Sequence, residues 1–346
     1  MSMRGGTIDG IAGTTDRGGP RLVALALAAA LALLLALSLT GRPTSPLAVA
    51  EVLAGGGDPV ARYVVFELRL PRALLAALVG AGLAMSGLLL QGVTRNPLAD
   101  PGLLGISGGA GLAVLVLMAT YPDTRAAPLW LLPLVAFAGG LCAAALILTL
   151  AGGAGRSQPA RLLLVGIGVA AATGAIAQVF ALGVRNELFR AVVAWQAGTL
   201  SGGGWPGVAV LAPGAALGGL LALALAHRLD VLALGDEAAT ALGVHCVRTR
   251  MAATALAALL AGACVAIAGG LGFIGLFAPH IARTVVGQRH LLLVPAAAAI
   301  GAAVTCGADI VAHRLIPHTV LPTGAVVAVI GVPWLVFSLK RMYRRG

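Results

Sequence analysis

A short polar stretch in the middle of the chain, VLALGDEAATALGVHCVRTR (231–250), carries two acidic residues, two arginines and a histidine. Asp236 and Glu237 precede alanines at helical spacing, and three basic or imidazole-bearing residues follow them. The flanking segments hold almost no charge. We therefore predict that this stretch forms a helix-prone polar loop between apolar elements and that it contacts a partner.

A second basic motif, RLPR (69–72), stands at the start of an apolar run. Pro71 suits the first turn of a helix, where its missing N–H costs nothing. Arg69 and Arg72 are three residues apart and hence share one helical face. The pair either anchors the helix at a membrane interface by snorkelling or faces an acidic partner.

The histidines give no metal-binding pattern. In GFIGLFAPHIAR (272–283), His280 and Arg283 share one face, and we interpret His280 as a structural hydrogen-bonding residue, with a proton or metal site as the alternative. His313 and His318 lie near Asp309, but no third ligand stands at metal spacing. We predict no metal, no cofactor and no disulfide framework, since the four cysteines include no CxxC pair.

Motifs for ATP hydrolysis and for zinc-dependent hydrolysis are missing from the sequence. The one lysine, Lys340, follows a leucine, so no GxxxxGK[ST] phosphate-binding loop is present, and HExxH does not occur. Charges within the apolar runs are too few for the proton or sodium relays that secondary transporters usually need. The chain is therefore predicted not to be an enzyme, and the energy for any transport must come from elsewhere.

The amino-acid composition indicates that this chain lies in a lipid membrane. Of its 346 residues, 59% are hydrophobic and only 10% are charged, whereas soluble domains carry about 25% charged residues. The net charge of +11 does not indicate nucleic-acid binding, because the basic residues are scattered and aromatic residues are few. The 49 glycines suit close helix packing in a membrane.

A spanning helix needs about 20 apolar residues, and the sequence predicts ten such spans. They cover residues 22–39, 70–92, 103–120, 129–150, 161–183, 206–226, 251–269, 272–287, 291–311 and 322–340. Residues 1–20 are predicted to be a disordered cytoplasmic tail, followed by one transmembrane domain over 21–346 whose loop at 227–250 is cytoplasmic. The first span is too long for a signal-peptide core, although AVA at 48–50 leaves a cleavage site as an alternative.

The distribution of basic residues predicts the orientation. With both termini in the cytoplasm, fifteen of the 23 Lys and Arg residues fall on the inner side and eight on the outer side. Such a bias is the positive-inside pattern and agrees with an even number of spans. The predicted location is the cytoplasmic (plasma) membrane, with multiple spans.

The sequence also repeats itself. LVGAGLAMSG (78–87) matches LAGACVAIAG (260–269) at five positions, and the same offset pairs Pro97 with Pro279. The two copies begin at spans two and seven, so they point in opposite directions through the membrane. We therefore predict an all-α membrane protein with an inverted repeat of spans 2–5 and 7–10, with chance similarity between Ala/Gly-rich helices as the alternative.

Several motifs together resemble a known family. RLPR, GAGLAMSGLLLQGVTRNPLADPGLLGISGGAG, LALGDEAATALGV, GFIGLFAPHIAR and LPTGAVVAVIGVPWLVFSLKR appear in the order found in the FecCD-type ABC importer permeases for iron–siderophores, haem and vitamin B12. The resemblance runs from about residue 22 to the C-terminus. It implies a ten-helix permease that pairs with a second permease, two ABC ATPase subunits and an extracytoplasmic substrate-binding protein.

The resemblance assigns a role to the polar loop. In the family this loop holds short coupling helices that dock into the ATPase, with an acidic residue where this chain has Asp236. The residues implied in ATPase coupling are Leu234, Gly235, Asp236, Glu237, Ala241, Leu242 and Gly243.

The resemblance also implies that outer arginines dock acidic groups of the binding protein. Arg69 and Arg72 match the family pattern directly. A third family arginine follows ADIVA, where this chain has His313, with Arg314 one residue later. That departure puts the third contact in doubt.

The function implied is transport of a ferric siderophore, driven by ATP that a separate subunit hydrolyses. Haem or vitamin B12 import by the same family is an alternative, and a stand-alone secondary transporter is an alternative of a different class. The resemblance further implies that spans five and ten line the pathway, over 162–182 and 326–336.

Overall fold

The computed structural model describes residues 19–41, 44–102, 105–120, 131–151, 159–182, 193, 195–200, 203–315 and 321–343. This part of the chain is almost entirely helical, and its one strand-like pairing is an isolated bridge between Gly41 and Thr44. Residues 1–18 of the predicted tail and His318 lie outside the described residues.

Thirteen α-helices form within the described residues. In chain order they are α1 (Gly19–Leu39), α2 (Pro46–Leu53), α3 (Pro59–Tyr63), α4 (Leu70–Thr94), α5 (Ile106–Thr120), α6 (Leu131–Leu150), α7 (Pro159–Leu182), α8 (Gly204–Leu232), α9 (Asp236–Ala241), α10 (Cys246–Ala268), α11 (Ile274–Val286), α12 (His290–Arg314) and α13 (Thr323–Tyr343). Each predicted span overlaps one of these helices, while α2, α3 and α9 are additional short helices.

Five helical segments are long and apolar enough to cross a membrane by length and composition: Pro59–Thr94, α6, α8, α10 and α12. Shorter apolar helices accompany them. The prediction of an all-helical membrane fold is confirmed. Helices suit this environment because lipid offers no hydrogen bonds, so each backbone group must be satisfied within its own segment.

Local signals explain how the longest segment begins. Asp58 caps α3 by accepting hydrogen bonds from the backbone N–H groups of Val60 and Ala61, and Pro59 occupies the first turn. Val64–Arg69 then winds as a π-helix and leads directly into α4. Such π turns are rare and often stand near functional positions.

Helix α4 occupies the centre of the bundle. In its most apolar window, 78% of the residues are buried, against 22% for α8 at the periphery. Leu75 and the run 88–90 of α4 are fully buried. Because α4 packs on α8, α10, α11 and α12, its position sets those of most other helices.

Glycines let α4 approach its neighbours backbone to backbone. A Cβ at Gly80 would lie 2.2 Å from the carbonyl oxygen of Gly301 on α12, and one at Gly87 would lie 1.9 Å from that of Gly275 on α11. No side chain fits at these crossings. Close approach through small residues is the usual way that helices associate in membranes, where no hydrophobic effect drives them together.

The packing partners follow the predicted repeat. Helix α4 packs on α12, and its counterpart α10 packs on α6; similarly, α5 packs on α6 as α11 packs on α12. This exchange of partners is expected of two related halves. Beyond Gly87 and Gly269 the fixed sequence offset no longer pairs structurally equivalent positions. Pro97 lies in a turn, whereas Pro279 lies inside α11.

Candidate functional site

Charged side chains gather at the two ends of α4. Arg69 immediately precedes this 25-residue helix and Arg95 immediately follows it. At 1.5 Å per residue the two ends are about 37 Å apart. We call the group around the first end (Arg69, Arg72, Asp309, His313 and Arg314) the Arg72 cluster, and the group around the second end (Arg95, Asp236 and Arg250) the Asp236 cluster.

The short helix α9 carries the predicted coupling residues. Gly235 precedes it with φ 114° and Gly243 follows it with φ 82°, so both turns use backbone conformations that suit glycine. Leu234 and Leu242, one on each side of α9, are 65% and 63% exposed. The two leucines thus form an exposed apolar pair on an otherwise polar loop.

The Asp236 carboxylate is bound by two arginines. Arg250 donates to Oδ2 at 2.8 Å through Nη1 and to Oδ1 at 2.7 Å through Nη2, and Arg95 Nη2 also donates to Oδ1. These bonds tie α9 both to α10, which holds Arg250, and to the end of α4.

The two arginines also determine the charge state of Asp236. The hydrogen bonds from Arg250 hold the pKa of the Asp236 carboxyl below its ordinary value, helped by Arg95, and they outweigh the opposing effect of partial burial. Asp236 is therefore ionised throughout the physiological pH range.

Arg95 has a conformation that is unusual for its residue type. It closes α4 with φ 50°, in the left-handed region where helices commonly end on glycine. Its Nε and Nη2 donate to the carbonyl oxygen of Leu232 at 3.0 and 2.6 Å, in addition to the bond with Asp236. One side chain thus holds the last turn of α8 and the first residue of α9.

A further link at the same end joins α8 to α12. The Asp230 carboxylate accepts a hydrogen bond from the backbone N–H of His290 at 2.9 Å and lies 2.6 Å from His290 Nδ1. Because His290 begins α12, Asp230 also satisfies one of the free N–H groups of that helix.

The Arg72 cluster contains a more enclosed ion pair. Arg72 donates through Nε and Nη2 to the two carboxylate oxygens of Asp309, both at 3.0 Å. Asp309 Oδ1 also accepts from the Thr323 hydroxyl at 2.9 Å. These bonds connect α4, α12 and the first residue of α13.

The remaining predicted docking residues lie beside this pair. Arg69 Nη1 donates to the carbonyl oxygen of Leu39, and Arg314 Nη2 donates to those of Leu37 and Thr40. His313 Nδ1 lies 3.0 Å from the Asp309 carbonyl oxygen. The structure therefore brings all four predicted residues to one end of the bundle, with Arg69 and Arg72 half-buried and His313 and Arg314 exposed.

Two other charged or polar groups have structural roles. Arg283 donates to the Gln91 side-chain oxygen, and Gln91 Nε2 in turn donates to the Gly275 carbonyl oxygen at 3.0 Å. These bonds fix α11 against α4. His280 lies on the same helix and also has an interaction partner.

A cavity of about 460 Å³ lies beside α7, which contains the predicted pathway segment 162–182. Polar side chains contribute to its lining: Ser107, Thr173, Gln178 and Gln196. Trp195 also lines it, and its buried indole N–H has no hydrogen-bond partner. The lining is more polar than the aliphatic sequence of α7 indicates.

The sequence from residue 27 to residue 341 matches the FecCD transport family. The chain belongs to this family. The match covers nearly all of the described helices, including both ends of α4 and the loop that carries α9.

Curated relatives of this FecCD chain are permease proteins. It is 40% identical to the Fe(3+)-citrate import system permease protein YfmE of Bacillus subtilis, over 86% of this chain and 87% of the relative. It is 38% identical to the hemin transport system permease protein HmuU of Yersinia pestis, over 81% and 84%. It is 37% identical to the cobalamin import system permease protein BtuC of Halobacterium salinarum, over 86% and 79%.

A solved structure supports the same fold for the FecCD chain. It is described as an inward-facing conformation of a metal-chelate type ABC transporter, with a TM-score of 0.81 and 28% identity. The similarity covers 93% of this chain and 99% of the other.

Three charged partners in the FecCD chain were not predicted from the sequence: Arg95 and Arg250 with Asp236, and Asp309 with Arg72. The only sequence signal for Arg95 is a charged residue that follows a helix and precedes Asn96-Pro97, where helices end. The pairing itself joins residues 141 positions apart.

Proposed function

We propose that this chain is the permease subunit of a binding-protein-dependent ABC importer that carries a ferric siderophore across the cytoplasmic membrane. Membership of the FecCD family and the similarity to named import permeases support the class. The relative named for Fe(3+)-citrate supports a ferric chelate as cargo.

The observation that carries the coupling proposal is the exposure of Leu234 and Leu242 around α9. These two leucines, 65% and 63% exposed, flank α9 on an otherwise polar loop, which is where a partner that binds the loop would cover them. The Arg95 and Arg250 bonds fix α9 relative to the spans, so force applied to the loop reaches them. The partner is the ATPase subunit, because the chain has no phosphate-binding loop of its own.

The proposed assembly contains two permeases, two ATPase subunits and one extracytoplasmic binding protein in a lipid bilayer. Both chain termini and the loop at 227–250 face the cytoplasm, as the excess of basic residues on that side supports. One transmembrane domain covers residues 21–346, with residues 1–20 as a cytoplasmic tail.

Arg69, Arg72, His313 and Arg314 are the proposed docking residues for the binding protein. Their location at one end of α4, opposite the Asp236 cluster, supports this role. Since Arg72 is bound to Asp309, it presents only its remaining surface to a partner. Exposed ion pairs of this kind mainly steer and orient the partner.

Hemin and cobalamin are the second candidate cargoes. The relatives named for them are 38% and 37% identical to this chain, close to the 40% of the ferric citrate relative. Uptake assays with ferric citrate, a ferric hydroxamate, hemin and cobalamin, each with its own binding protein, separate these candidates. Transport of a ferric chelate alone is the expected result.

The experiment for the coupling role replaces Leu234 and Leu242 with serine. We expect the double variant to insert normally, to lose co-purification with the ATPase and to lose ATP-driven uptake. Matched controls are Leu47→Ser and Leu53→Ser on α2, which remove similarly exposed leucines near the Arg72 cluster. Undiminished uptake in the Leu234 and Leu242 variant would contradict the role, and uptake without any ATPase would identify a secondary transporter.

A further inference from the structure

We propose that Arg95 is a positioning residue that links α9 to α4 through the Asp236 carboxylate, so that displacement of α9 by the ATPase moves α4. This inference rests on the proposed coupling function of the loop. It assigns Asp236 an intramolecular role instead of a contact with the ATPase.

The hydrogen bonds of Asp236 support an intramolecular role. Oδ1 accepts from Arg95 and Arg250, and Oδ2 accepts from Arg250. The Asp236 backbone carbonyl also accepts from the Thr240 hydroxyl at 2.7 Å. An ATPase side chain that bound this carboxylate would compete with two arginines, whereas Glu237 beside it is exposed and has no such partners in the described structure.

The covalent connections of α9 lead to α8 and α10 and not directly to α4. Both of these helices pack on α4 along their lengths. Arg95 adds a direct polar connection from α9 to the end of α4, which belongs to the most buried of the five long apolar segments.

The backbone conformation of Arg95 indicates that its side chain is needed at this position. A residue other than glycine is sterically disfavoured at φ 50°, because its Cβ crowds the following carbonyl oxygen. Three donor contacts compensate for that cost, two to the Leu232 carbonyl and one to Asp236. Glycine would end α4 with less strain but would leave α9 unconnected to it.

Movement of α4 would reach further helices without additional links. Its crossings at Gly80–Gly301 and Gly87–Gly275 place backbone against backbone, so α4 cannot shift there without displacing α12 and α11. Arg95 is therefore placed to pass a displacement of the loop to the centre of the bundle.

The test is a double-mutant cycle with Arg95→Gln and Asp236→Asn in the complete transporter in proteoliposomes. We expect each variant to lower the amount of cargo moved per ATP hydrolysed by about tenfold, a coupling change in the usual range. The double variant should lose no more than the worse single variant, because both substitutions break the same link. ATPase co-purification should stay normal.

Arg248→Gln is the matched control, since it removes the same charge from an exposed position on α10 near the loop. It should keep the wild-type ratio of cargo to ATP. A wild-type ratio in Arg95→Gln, or losses that multiply in the double variant, would overturn the inference. Failure of the coupling function itself would differ, because the unmodified permease would then not bind the ATPase at all.

Discussion

Both ends of α4 hold an aspartate against arginine, but the two aspartates lie in different surroundings. The Asp309 side chain is 10% exposed and binds one arginine and one threonine, whereas the Asp236 side chain is 50% exposed and binds two arginines. Asp309 joins the three long helices α4, α12 and α13, and Asp236 joins the short surface helix α9 to α4 and α10.

This difference in exposure predicts different roles for the two ion pairs: the Asp309 pair stabilises helix packing, and the Asp236 pair forms a connection that can rearrange. Removing one partner from an enclosed ion pair leaves an uncompensated charge, which is costly, whereas an exposed pair can exchange its partner for water. The Arg72 cluster therefore stabilises the packing of α4, α12 and α13. In the Asp236 cluster Arg250 is also enclosed, at 9% exposure, but the Asp236 carboxylate and Arg95 reach solvent at 50% and 34%. This cluster therefore contributes less to stability than the Arg72 cluster, and its proposed value lies in transmitting displacement.

The largest expected effect comes from Asp309→Ala. We expect the variant to lose about 3 kcal/mol of unfolding free energy, because Arg72 stays enclosed without a carboxylate. Denaturation in detergent measures the loss, and Glu51→Ala is the control for removal of an exposed acid. If Asp236→Ala proved as destabilising as Asp309→Ala, the contrast between the two clusters would disappear.

An intermediate effect is expected when Arg69 and Arg314 are both changed to glutamate, because these two docking residues, unlike Arg72, form no ion pair with Asp309 in the described structure. Two rim ion pairs at up to about 1 kcal/mol each correspond to a weakening of binding-protein affinity by about tenfold or more. The salt dependence of binding should also flatten. Arg62→Glu, at an exposed position on the same side, is the control, and unchanged affinity in the double reversal would refute the docking assignment.

The smallest expected effect is the pH dependence that Asp236 confers. Its pKa is lowered by folding, so its ionised form adds stability above the unfolded-state value and this contribution is lost as pH falls through the folded-state value. Near neutral pH the free energy of unfolding of the wild-type protein should exceed that of the Asp236→Asn variant by at most about 1 kcal/mol. The gap should close below about pH 4. Melting curves of both proteins at several pH values measure this difference in stability. A difference that became larger at lower pH would contradict the lowered pKa of Asp236.

The sequence was sufficient for the helices because each span is a continuous apolar run. It overestimated α5 and α11, which begin at Ile106 and Ile274 instead of 103 and 272, since Gly105 and Phe273 directly before them have positive φ angles of 76° and 66° that do not continue a helix. The short α2 and α3 were missed although Ser45-Pro46 and Asp58-Pro59 are ordinary helix-start signals.

The site was predicted less completely because its partners are distant in sequence. Arg69, Arg72 and Asp236 stood out through local motifs. Asp309, by contrast, pairs with Arg72 across 237 positions, and no periodicity encodes such a contact. Only packing of α4 against α12 brings these side chains together.

The glycine crossings join α4 rigidly to α12 and α11. Helices that meet through side chains can absorb a push by changing rotamers, but bare backbone at Gly80 and Gly87 leaves nothing to rearrange. Arg95 lies about 12 Å beyond Gly87, and Arg69 lies about 16 Å before Gly80, at 1.5 Å per residue. A displacement that enters α4 at Arg95 therefore meets the crossing with α11 first and the crossing with α12 second, before it reaches the Arg72 cluster.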